Sequence, residues 1–410
     1  MESGLDYFIR KYAVARKVNV NETIYADDEM YSFLATRQGA PLAKMDYFRL
    51  GSELTRTIMQ IASWRFAGKT DQIKMMEFAC GYGRNLRHIV NCIPAQNIFV
   101  SDIYADAVKF NIEQFGVTGR VSVHDPNDLH WNERFDFIVV PSLFSHLPES
   151  TFAGWIAALY RLLTDDGILV FSVHGDHLQG PDGSMPESGI LFHHQSESAT
   201  LDKSEYGSTF VTEAFVRDQI QRATGHSVYS RTLRGFWKHQ DFYMVAKSRM
   251  VDVTSFRYNY GVAGHFERIE RGNGRSLKLK GWAKDTNRAS NDGLRIEVRL
   301  DGRKIGETKS FDPREDVAQA WADDFIDCGF EFEVPTVPLR FGRESLLAVE
   351  AVASGQRECL FALPLGDALP DGGQEFFDVI PPQVFRNRVR ALAQSGGRRW
   401  AHVWQRLRGA

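Results

Sequence analysis

The feature that most constrains the fold is a regular alternation of short apolar runs and helical patterns between residues 71 and 250. Near-continuous apolar strands that alternate with helices are typical of a parallel sheet covered on both faces. The last two runs follow one another without a long helix, which predicts an antiparallel hairpin at the sheet edge. The sequence thus predicts a doubly wound, mostly parallel α/β sheet from the runs KMMEFAC, NIFVSDI, RVSVHD, FDFIVVPS, GILVFSVHG and FYMVAKS.

The chain on either side of this region has a different character. Residues 1–70 are largely helical in pattern, as in Leu50–Phe66, and we interpret them as a helical cap over the sheet domain. Residues 251–372 alternate polar and apolar residues with few helical patterns, which is typical of an all-β sandwich. Within them, Asp301-Gly302 lies between two alternating runs and predicts a type I′ hairpin. The remainder, 373–410, forms a tail.

Composition indicates an ordinary globular protein with a buried core. Hydrophobic residues make up 43% and charged residues 25%, and a net charge of −3 does not suggest a surface that attracts nucleic acid. The four cysteines form no C-x-x-C pair, which argues against a zinc site or a disulfide framework. Reduced thiols favour a cytoplasmic protein. Because no apolar run of transmembrane or signal-peptide type occurs, we expect neither feature.

A glycine turn after the first strand indicates a ligand site. Gly81 and Gly83 follow the strand end at Glu77–Cys80, and a helix opens near Arg84. Glycines let the backbone turn sharply, and the N–H groups at a helix start can face an anion such as an amino-acid carboxylate. The second strand ends at Asp102, an acid that can accept both hydroxyls of a ribose.

The position of the third glycine separates two classes of nucleotide ligand. A dinucleotide site needs a third glycine, because the pyrophosphate lies tight against the helix. Here that position is Leu86. The turn therefore disfavours NAD and FAD and favours a nucleoside without phosphates.

Taken in order, these segments resemble class I S-adenosylmethionine-dependent methyltransferases over roughly residues 70–250. EFACGYGR resembles motif I of that family, and FDFIVVPSLFSHLPE resembles motif IV. LYRLLTDDGILVFSVHG is similar to the helix, turn and strand that follow motif IV. The resemblance implies a Rossmann-like methyltransferase fold with S-adenosyl-L-methionine as cofactor. One departure is Ala79, where many members have glycine.

The resemblance also implies roles for individual residues. Glu77 would fix the turn and bind the methionine ammonium. Asp102 would hold the ribose, and Asp125 in HDPNDL would meet the adenine edge. The implied cofactor-binding set is Glu77, Ala79, Cys80, Gly81, Gly83, Asp102, Ile103, Asp125 and Pro141.

Four histidines are candidates for the general base of methyl transfer. The donor sulfur leaves neutral, so the enzyme must align the nucleophile and, for a hydroxyl, remove its proton. His146 follows motif IV and His174 ends the next strand. His193 and His194 lie in a polar insertion, 176–206, that we interpret as a substrate loop or lid. The alternative to a histidine base is a carboxylate, or alignment of the acceptor without a base.

No third ligand is spaced for a metal at the histidine pair, so no metal is expected.

The acceptor is predicted from looser similarities. Val140–Leu143 reads VPSL, which lacks the acid or Asn followed by Pro-Pro and an aromatic residue of many nucleic-acid base methyltransferases. Methyltransferases found among bacterial surface-glycan enzymes are resembled by three segments, NETIYADDEMYSF, DYFRLG and GFWKHQDFYMVAKS. A β-sandwich module attached to such enzymes is resembled by four further segments, GWAKD, VRLDGRKIG, FDPREDVA and GFEFEVP.

These similarities imply O-methylation of a saccharide of a surface glycan or of its lipid-linked precursor. A small-metabolite or RNA methyltransferase, or a non-catalytic scaffold, is the alternative. The sandwich could bind a glycan or partner, or serve packing alone.

The tail combines tryptophans with arginines. From Phe385 onward it has seven arginines and no acidic residue, and Trp400, Val403, Trp404 and Leu407 share helical spacing. A basic amphipathic helix of this kind can lie on an anionic membrane. Docking on its own protein, or a frayed terminus, is the alternative. We expect a cytoplasmic location, with peripheral contact at the inner membrane surface if the tail binds lipid.

Overall fold

The computed structural model describes most of the chain up to residue 364. The described residues are 20–38, 40–179, 184–196, 198, 200–271, 276–321, 325–335, 346–353 and 356–364. They fall into two compact units. The α/β unit contains 20–33 and 46–258, and the all-β unit contains 34–45 and the chain from 259 onward. The tail at 373–410 lies outside the described residues. Among the described helices, none is long and apolar enough to cross a membrane.

The α/β unit is built on a nine-stranded sheet. Its strands are β1 Met75–Phe78, β2 Ile98–Asp102, β3 Thr118–Val121, β4 Phe135–Val140, β5 Leu163–Gly175, β6 Ile190–His193, β7 Ser208–Val211, β8 Ser230–Phe236 and β9 Gln240–Ala246. The main path runs β3-β2-β1-β4-β5-β9-β8, and the β6–β7 hairpin attaches to the end of β5. Neighbours from β3 to β5 are parallel, whereas β9 is antiparallel to both β5 and β8. In such sheets ligands bind outside the carboxyl ends of the strands, where the strand order reverses, which here is between β1 and β4.

Helices cover both faces of this sheet. The described helices outside the C-terminal region are α1 Glu29–Gln38, α2 Ala40–Arg65, α3 Leu86–Ile89, α4 Ala105–Phe115, α5 Glu149–Arg161 and α6 Glu213–Thr224, of which residues 34–38 and 40–45 belong to the other unit. One hydrophobic cluster joins the sheet to Phe152 of α5 and Phe215 of α6. A second cluster joins it to Leu54 of α2 and Phe110 of α4. The predicted doubly wound, mostly parallel α/β sheet with an antiparallel edge hairpin is therefore confirmed.

The helix ends follow local sequence signals. The hydroxyl of Thr212 accepts a hydrogen bond from the backbone N–H of Phe215 and so caps α6. α4 and α6 end at Gly116 and Gly225, which adopt φ of +67° and +70°. Left-handed backbone of this kind favours glycine, so each helix stops where its sequence supplies one.

The all-β unit consists of two antiparallel sheets with four strands each. Its elements are β10 Val262–Arg271, β11 Ser276–Asp285, β12 Arg295–Leu300, β13 Arg303–Thr308, β14 Asp312–Pro313, α7 Glu315–Trp321, β15 Asp327–Pro335, β16 Leu346–Ala353 and β17 Gln356–Pro364. The sheet orders are β10-β11-β15-β14 and β13-β12-β16-β17. One hydrophobic cluster draws Leu279 and Phe330 from the first sheet and Ile296 and Val349 from the second. The expectation of a separate all-β region is confirmed.

The predicted Asp301-Gly302 hairpin is also present. These two residues join β12 to β13 with φ of +47° and +77°. Positive φ at both central residues is the signature of a type I′ turn.

Helix α2 approaches the glycine turn closely because it carries a glycine at the contact. A Cβ on Gly51 would lie 2.1 Å from the backbone oxygen of Arg84. One turn later, the Thr55 hydroxyl donates a hydrogen bond to the carbonyl of Asn85 at 3.3 Å. The helix thus packs directly against the backbone of the turn, and a side chain at position 51 would push the two apart.

We expect Gly51→Ala to lower the stability of the protein. Helix propensity alone would raise it by about 1 kcal/mol. The clash with backbone acts in the opposite direction and typically costs about 1–3 kcal/mol. Thermal unfolding of the variant checks the sign of the change, because a melting temperature above that of the wild type would contradict the close contact.

Candidate functional site

The glycine turn after β1 adopts left-handed backbone at three positions. Ala79, Gly81 and Gly83 have φ of +59°, +52° and +74°. A Cβ on Gly83 would lie 2.3 Å from Oδ1 of Asn111, whereas a Cβ on Gly81 would meet nothing within 4 Å. Asn111 of α4 donates a hydrogen bond to the carbonyl of Gly81 at 2.7 Å. Gly83 is therefore required by packing, and Gly81 leaves open space beside the turn.

Asp102 connects the glycine turn to the end of β2. Its carboxylate accepts hydrogen bonds from the backbone N–H of Gly81 at 2.7 Å and of Tyr104 at 3.0 Å. The side chain is buried, and burial raises the pKa of Asp102 above its usual range. The predicted ribose acid thus lies against the glycine turn, with Ile103 next to it in the same loop.

Glu77 places a second carboxyl group beneath the turn. The side chain is fully buried, and its Oε1 accepts a hydrogen bond from Nδ2 of Asn85 at 2.8 Å. Its Oε2 is buried without a hydrogen-bond partner. Burial raises the pKa of Glu77 to about 7, against the opposing effects of the Asn85 hydrogen bond and of Arg84. A buried carboxylate oxygen without a partner is expensive unless a ligand supplies the missing donor.

Arg87 fixes the turn from the other side, and no local pattern in the sequence marks it as a site residue. It is fully buried in α3, and its Nε donates to the carbonyl of Gly83 at 3.1 Å. Its Nη1 donates to the carbonyls of Asn21 at 2.7 Å and Thr23 at 3.0 Å. The guanidinium also lies over the ring of Phe48, 5.1 Å from its centroid. Arg87 therefore ties the segment before α1 to the glycine turn.

The remaining cofactor candidates lie in the neighbouring loops. Asp125 follows β3, is exposed, and accepts a hydrogen bond from the N–H of Asn127 at 2.8 Å. Pro141 is buried directly after β4. Cys80 is buried in the turn, where Asn111 donates to its sulfur at 3.3 Å, and burial raises the pKa of its thiol. The predicted positions thus lie near the carboxyl ends of β1 and β2 or in the loops that follow β1 to β4.

Two of the four histidines lie together at the carboxyl ends of β4 and β5. His146 is buried, its Nδ1 lies 2.6 Å from the carbonyl of Gly207, and its ring stacks on Tyr206 with centroids 4.5 Å apart. The ring of His174 lies 6.2 Å from that of His146. Burial lowers the pKa of His174 to about 3, helped by the charges of His146 and His239. His174 is therefore neutral at physiological pH.

The other two histidines belong to the insertion and face solvent. His193 ends β6 and is exposed. His194 is also exposed, and its Nδ1 lies 3.0 Å from the carbonyl of Lys203. Within the described residues, no group of three or more His, Cys, Asp or Glu side chains could hold a metal ion.

The second half of the insertion contacts three successive loops of the site. The hydroxyl of Tyr104, after β2, lies 2.9 Å from Oγ of Ser198. His124, after β3, lies 3.1 Å from the carboxylate of Glu205. The next residue, Tyr206, stacks on His146 after β4. We call residues 198–207 the strap, of which 199 lies outside the described residues.

A comparison with protein-family models identifies this region. Residues 76–169, from β1 into β5, match the model described as "Methyltransferase domain". This part of the chain is a methyltransferase domain. The match includes the glycine turn, Asp102 and the loop with His146. The matched region therefore indicates a methyltransferase, and S-adenosylmethionine is a cofactor consistent with such a domain.

Solved methyltransferase structures overlap with the domain only loosely. An S-adenosylmethionine-dependent methyltransferase from Clostridium acetobutylicum ATCC 824 is 12% identical, with 46% of this chain and 89% of that chain covered and a TM-score of 0.33. The glycopeptide N-methyltransferase MtfA is 14% identical, with 46% and 86% covered and a TM-score of 0.33. Magnesium protoporphyrin IX methyltransferase from Synechocystis PCC 6803 is 16% identical, with 50% and 87% covered and a TM-score of 0.35. These values carry no information about the acceptor. Among curated proteins, none matches this chain.

The buried carboxyl of Glu77 should make the ligand-free methyltransferase less stable as the pH rises. A folded pKa of about 7 lies above the ordinary value of 4.5, so this contribution to stability is present below pH 4.5 and is lost as the pH rises through 7. Glu77→Gln has no charge to desolvate. We expect it to exceed the wild type by about 3 kcal/mol at pH 8, with little difference near pH 4.5.

Denaturant unfolding of both proteins at the two pH values measures this difference. Glu113→Gln, which removes an exposed carboxylate from α4, is the matched control and should show no such pH dependence. A difference between Glu77→Gln and the wild type that is the same at both pH values would contradict the raised pKa.

Proposed function

We propose that this methyltransferase O-methylates a saccharide of a bacterial surface glycan or of its lipid-linked precursor, with His146 as the general base. The observation that carries the proposal is the pair of contacts that fix the His146 ring beside the end of β4. In addition, the loop there reads Pro141-Ser142-Leu143, without the acidic residue or Asn typical of base-amine methylation. The polar groups at this edge include Ser142, His174 and Gln240, which suit an uncharged acceptor rich in hydroxyls.

The geometry of the turn supports the proposed cofactor-binding roles. The unpartnered Oε2 of Glu77 suits the ammonium group of the methionine moiety. A carboxylate oxygen can accept two hydrogen bonds, so Asp102 can hold the ribose hydroxyls while it accepts its two backbone N–H groups. The open space at Gly81 leaves room for the ligand beside the turn. Asp125 lies in the next loop, which suits the adenine amino group.

The contact of His146 with Gly207 selects the tautomer that a general base requires. Its Nδ1 donates to the carbonyl of Gly207, so in the neutral ring the lone pair is on Nε2. His174 is a poor base because its pKa is about 3. S-adenosylmethionine, when bound, would supply an electrophilic methyl group on a sulfonium that becomes a neutral thioether. The protein aligns the acceptor hydroxyl and takes its proton at Nε2 of His146.

The other parts of the chain support the choice of acceptor through their sequence. We propose that the all-β unit is a β-sandwich that binds a glycan or a protein partner. Its two sheets share one hydrophobic cluster, which suits face-to-face packing. We also propose that the basic tail contacts anionic lipid peripherally from the cytoplasmic side, where a lipid-linked acceptor would be presented.

A screen for methyl transfer tests the acceptor class. Wild-type enzyme with isotopically labelled methyl donor should label surface glycans, their lipid-linked precursors or related saccharides. RNA and small metabolites serve as the competing acceptors. Labelling of RNA or of a small metabolite alone would contradict the proposal, and failure to bind the donor would favour a non-catalytic scaffold.

Asp102→Asn should weaken binding of S-adenosylmethionine. Hydrogen bonds to a charged acceptor are stronger by about 1–2 kcal/mol than those to a neutral one, so we expect the dissociation constant to rise about 5- to 30-fold. Isothermal titration calorimetry measures the change, with Asp128→Asn, an exposed acid in the next loop, as the matched control. Equal affinity in Asp102→Asn and the wild type would show that Asp102 does not hold the ribose.

His146→Ala should lower the single-turnover rate about 10²- to 10⁴-fold, the usual contribution of a general base. The affinity for the cofactor should stay level, because no cofactor contact is removed. His194→Ala is the control, since that ring is exposed in the insertion. A loss of less than tenfold in His146→Ala would exclude it as the base, and parallel measurements on His174→Ala and His193→Ala would then identify another histidine or none.

A further inference from the structure

Gln240 connects the three chain segments that border the acceptor side of the site. Its side chain is buried at the start of β9. Its Oε1 accepts a hydrogen bond from the hydroxyl of Ser172 on β5 at 2.7 Å. Its Nε2 donates to Oγ of Ser142 after β4 at 2.8 Å and lies 3.2 Å from Nε2 of His174. One amide therefore contacts a residue after β4 and two residues on β5.

Ser142 is held in a backbone conformation that a serine rarely adopts. Its φ is +63°, in the left-handed region where non-glycine residues are uncommon. Its N–H donates to Oγ of Ser172 at 2.8 Å, and its carbonyl accepts from the hydroxyl of Ser145 at 2.6 Å. Together with the Gln240 bond, these contacts fix the N–H, the carbonyl and the hydroxyl of Ser142. Such strain persists only where surrounding contacts over-determine it, and it concentrates at functional sites.

The same amide determines which nitrogen of His174 carries a proton. When Nε2 of Gln240 donates to Nε2 of His174, that ring nitrogen must be the acceptor, and the proton of the neutral ring is on Nδ1. Nδ1 is buried and makes no hydrogen bond of normal geometry, although the backbone of Thr209 lies near enough to oppose the lowering of the pKa. Because His174 is neutral at physiological pH, the contact with Gln240 selects between its two neutral tautomers.

We propose that Gln240 is a positioning residue for methyl transfer: its amide holds Ser142 and His174 in one hydrogen-bonded arrangement against the acceptor. The inference rests on the proposed function in one respect, that the acceptor binds at this edge of the sheet. The Gln240 side chain acts through Ser142 and His174.

The charged groups around this network do not replace the amide. The rings of His146 and His239 each lie 6.2 Å from that of His174. Asp241, the next residue of β9, points to the opposite face of the sheet, as alternate strand residues do. There its carboxylate accepts from Nη2 of Arg231 at 2.9 Å. Gln240 is thus the group that bridges Ser142 and His174.

The decisive experiment replaces the amide donor with an acceptor of the same shape. At pH 8 the carboxylate of Gln240→Glu accepts hydrogen bonds and donates none, so His174 should move its proton to Nε2. Nitrogen-15 NMR of the full chain with labelled histidine reports the tautomer, and the signal is assigned by its loss in His174→Asn. Gln219→Glu, at a buried glutamine of α6, is the matched control and should leave His174 unchanged.

A second variant keeps the proposal testable if Gln240→Glu fails to fold. Gln240→Leu has neither donor nor acceptor and should leave His174 as a mixture of tautomers. Wild-type His174 protonated at Nε2, or an Nδ1–H tautomer that persists fully in the variants, would overturn the proposal.

An activity measurement tests the positioning role itself. With a saccharide that the wild type methylates, Gln240→Glu should lower kcat about 10²-fold, the effect of a misplaced reacting group. The dissociation constant of S-adenosylmethionine should stay within twofold. An unchanged kcat would overturn the proposal. The tautomer experiment needs no acceptor, so failure to find a methylated saccharide contradicts the proposed function while the part played by Gln240 is still decided.

Discussion

The buried guanidinium of Arg87 is the interaction on which the architecture of the site depends. Removing this charge from water costs several kcal/mol unless hydrogen bonds replace the lost hydration. The replacements are backbone carbonyls from two distant parts of the chain, namely the glycine turn at Gly83 and the segment at Asn21 and Thr23. An aromatic face at Phe48 of α2 covers the group. A cation satisfied by carbonyl dipoles leaves the carboxylates of the site to serve other partners.

Two of those carboxylates are buried at a cost in electrostatic free energy. Glu77 and Asp102 are both buried, burial and the charge of Asp102 raise the pKa of Glu77, and Glu77 keeps an oxygen without a donor. A ligand that brings a cationic ammonium and ribose hydroxyls supplies the donors that this arrangement lacks. The stability of the domain and the affinity of the site are therefore opposed at Glu77. Burial of Glu77 lowers the stability of the ligand-free domain, and the same burial strengthens each hydrogen bond that Glu77 makes to a ligand.

The sequence predicted what is local and missed what is distant. The glycine turn, Glu77 and Asp102 could be identified because strand, turn and helix signals lie within a few residues of each other. Arg87 could not, since in RNLRHIV it looks like an ordinary helix arginine, and its partners lie over 60 residues earlier in the chain. A signal for Gln240 did exist, because alternation places it on the same strand face as the buried Phe242. The choice of His146 among the four histidines depended on its burial and on its contact with the carbonyl of Gly207. The spacing of the histidines in the sequence reveals neither.

The contacts of the strap bear on how a ligand would enter and leave. It contacts Tyr104, His124 and His146, which follow β2, β3 and β4, so it spans the carboxyl edge of the sheet from β3 to β4. A ligand that reached the sheet beneath these contacts would enter and leave more easily once they had broken. In enzymes whose loops open more slowly than the chemical step, that opening limits turnover. In that case selection for faster turnover would act on the contact between the hydroxyls of Ser198 and Tyr104.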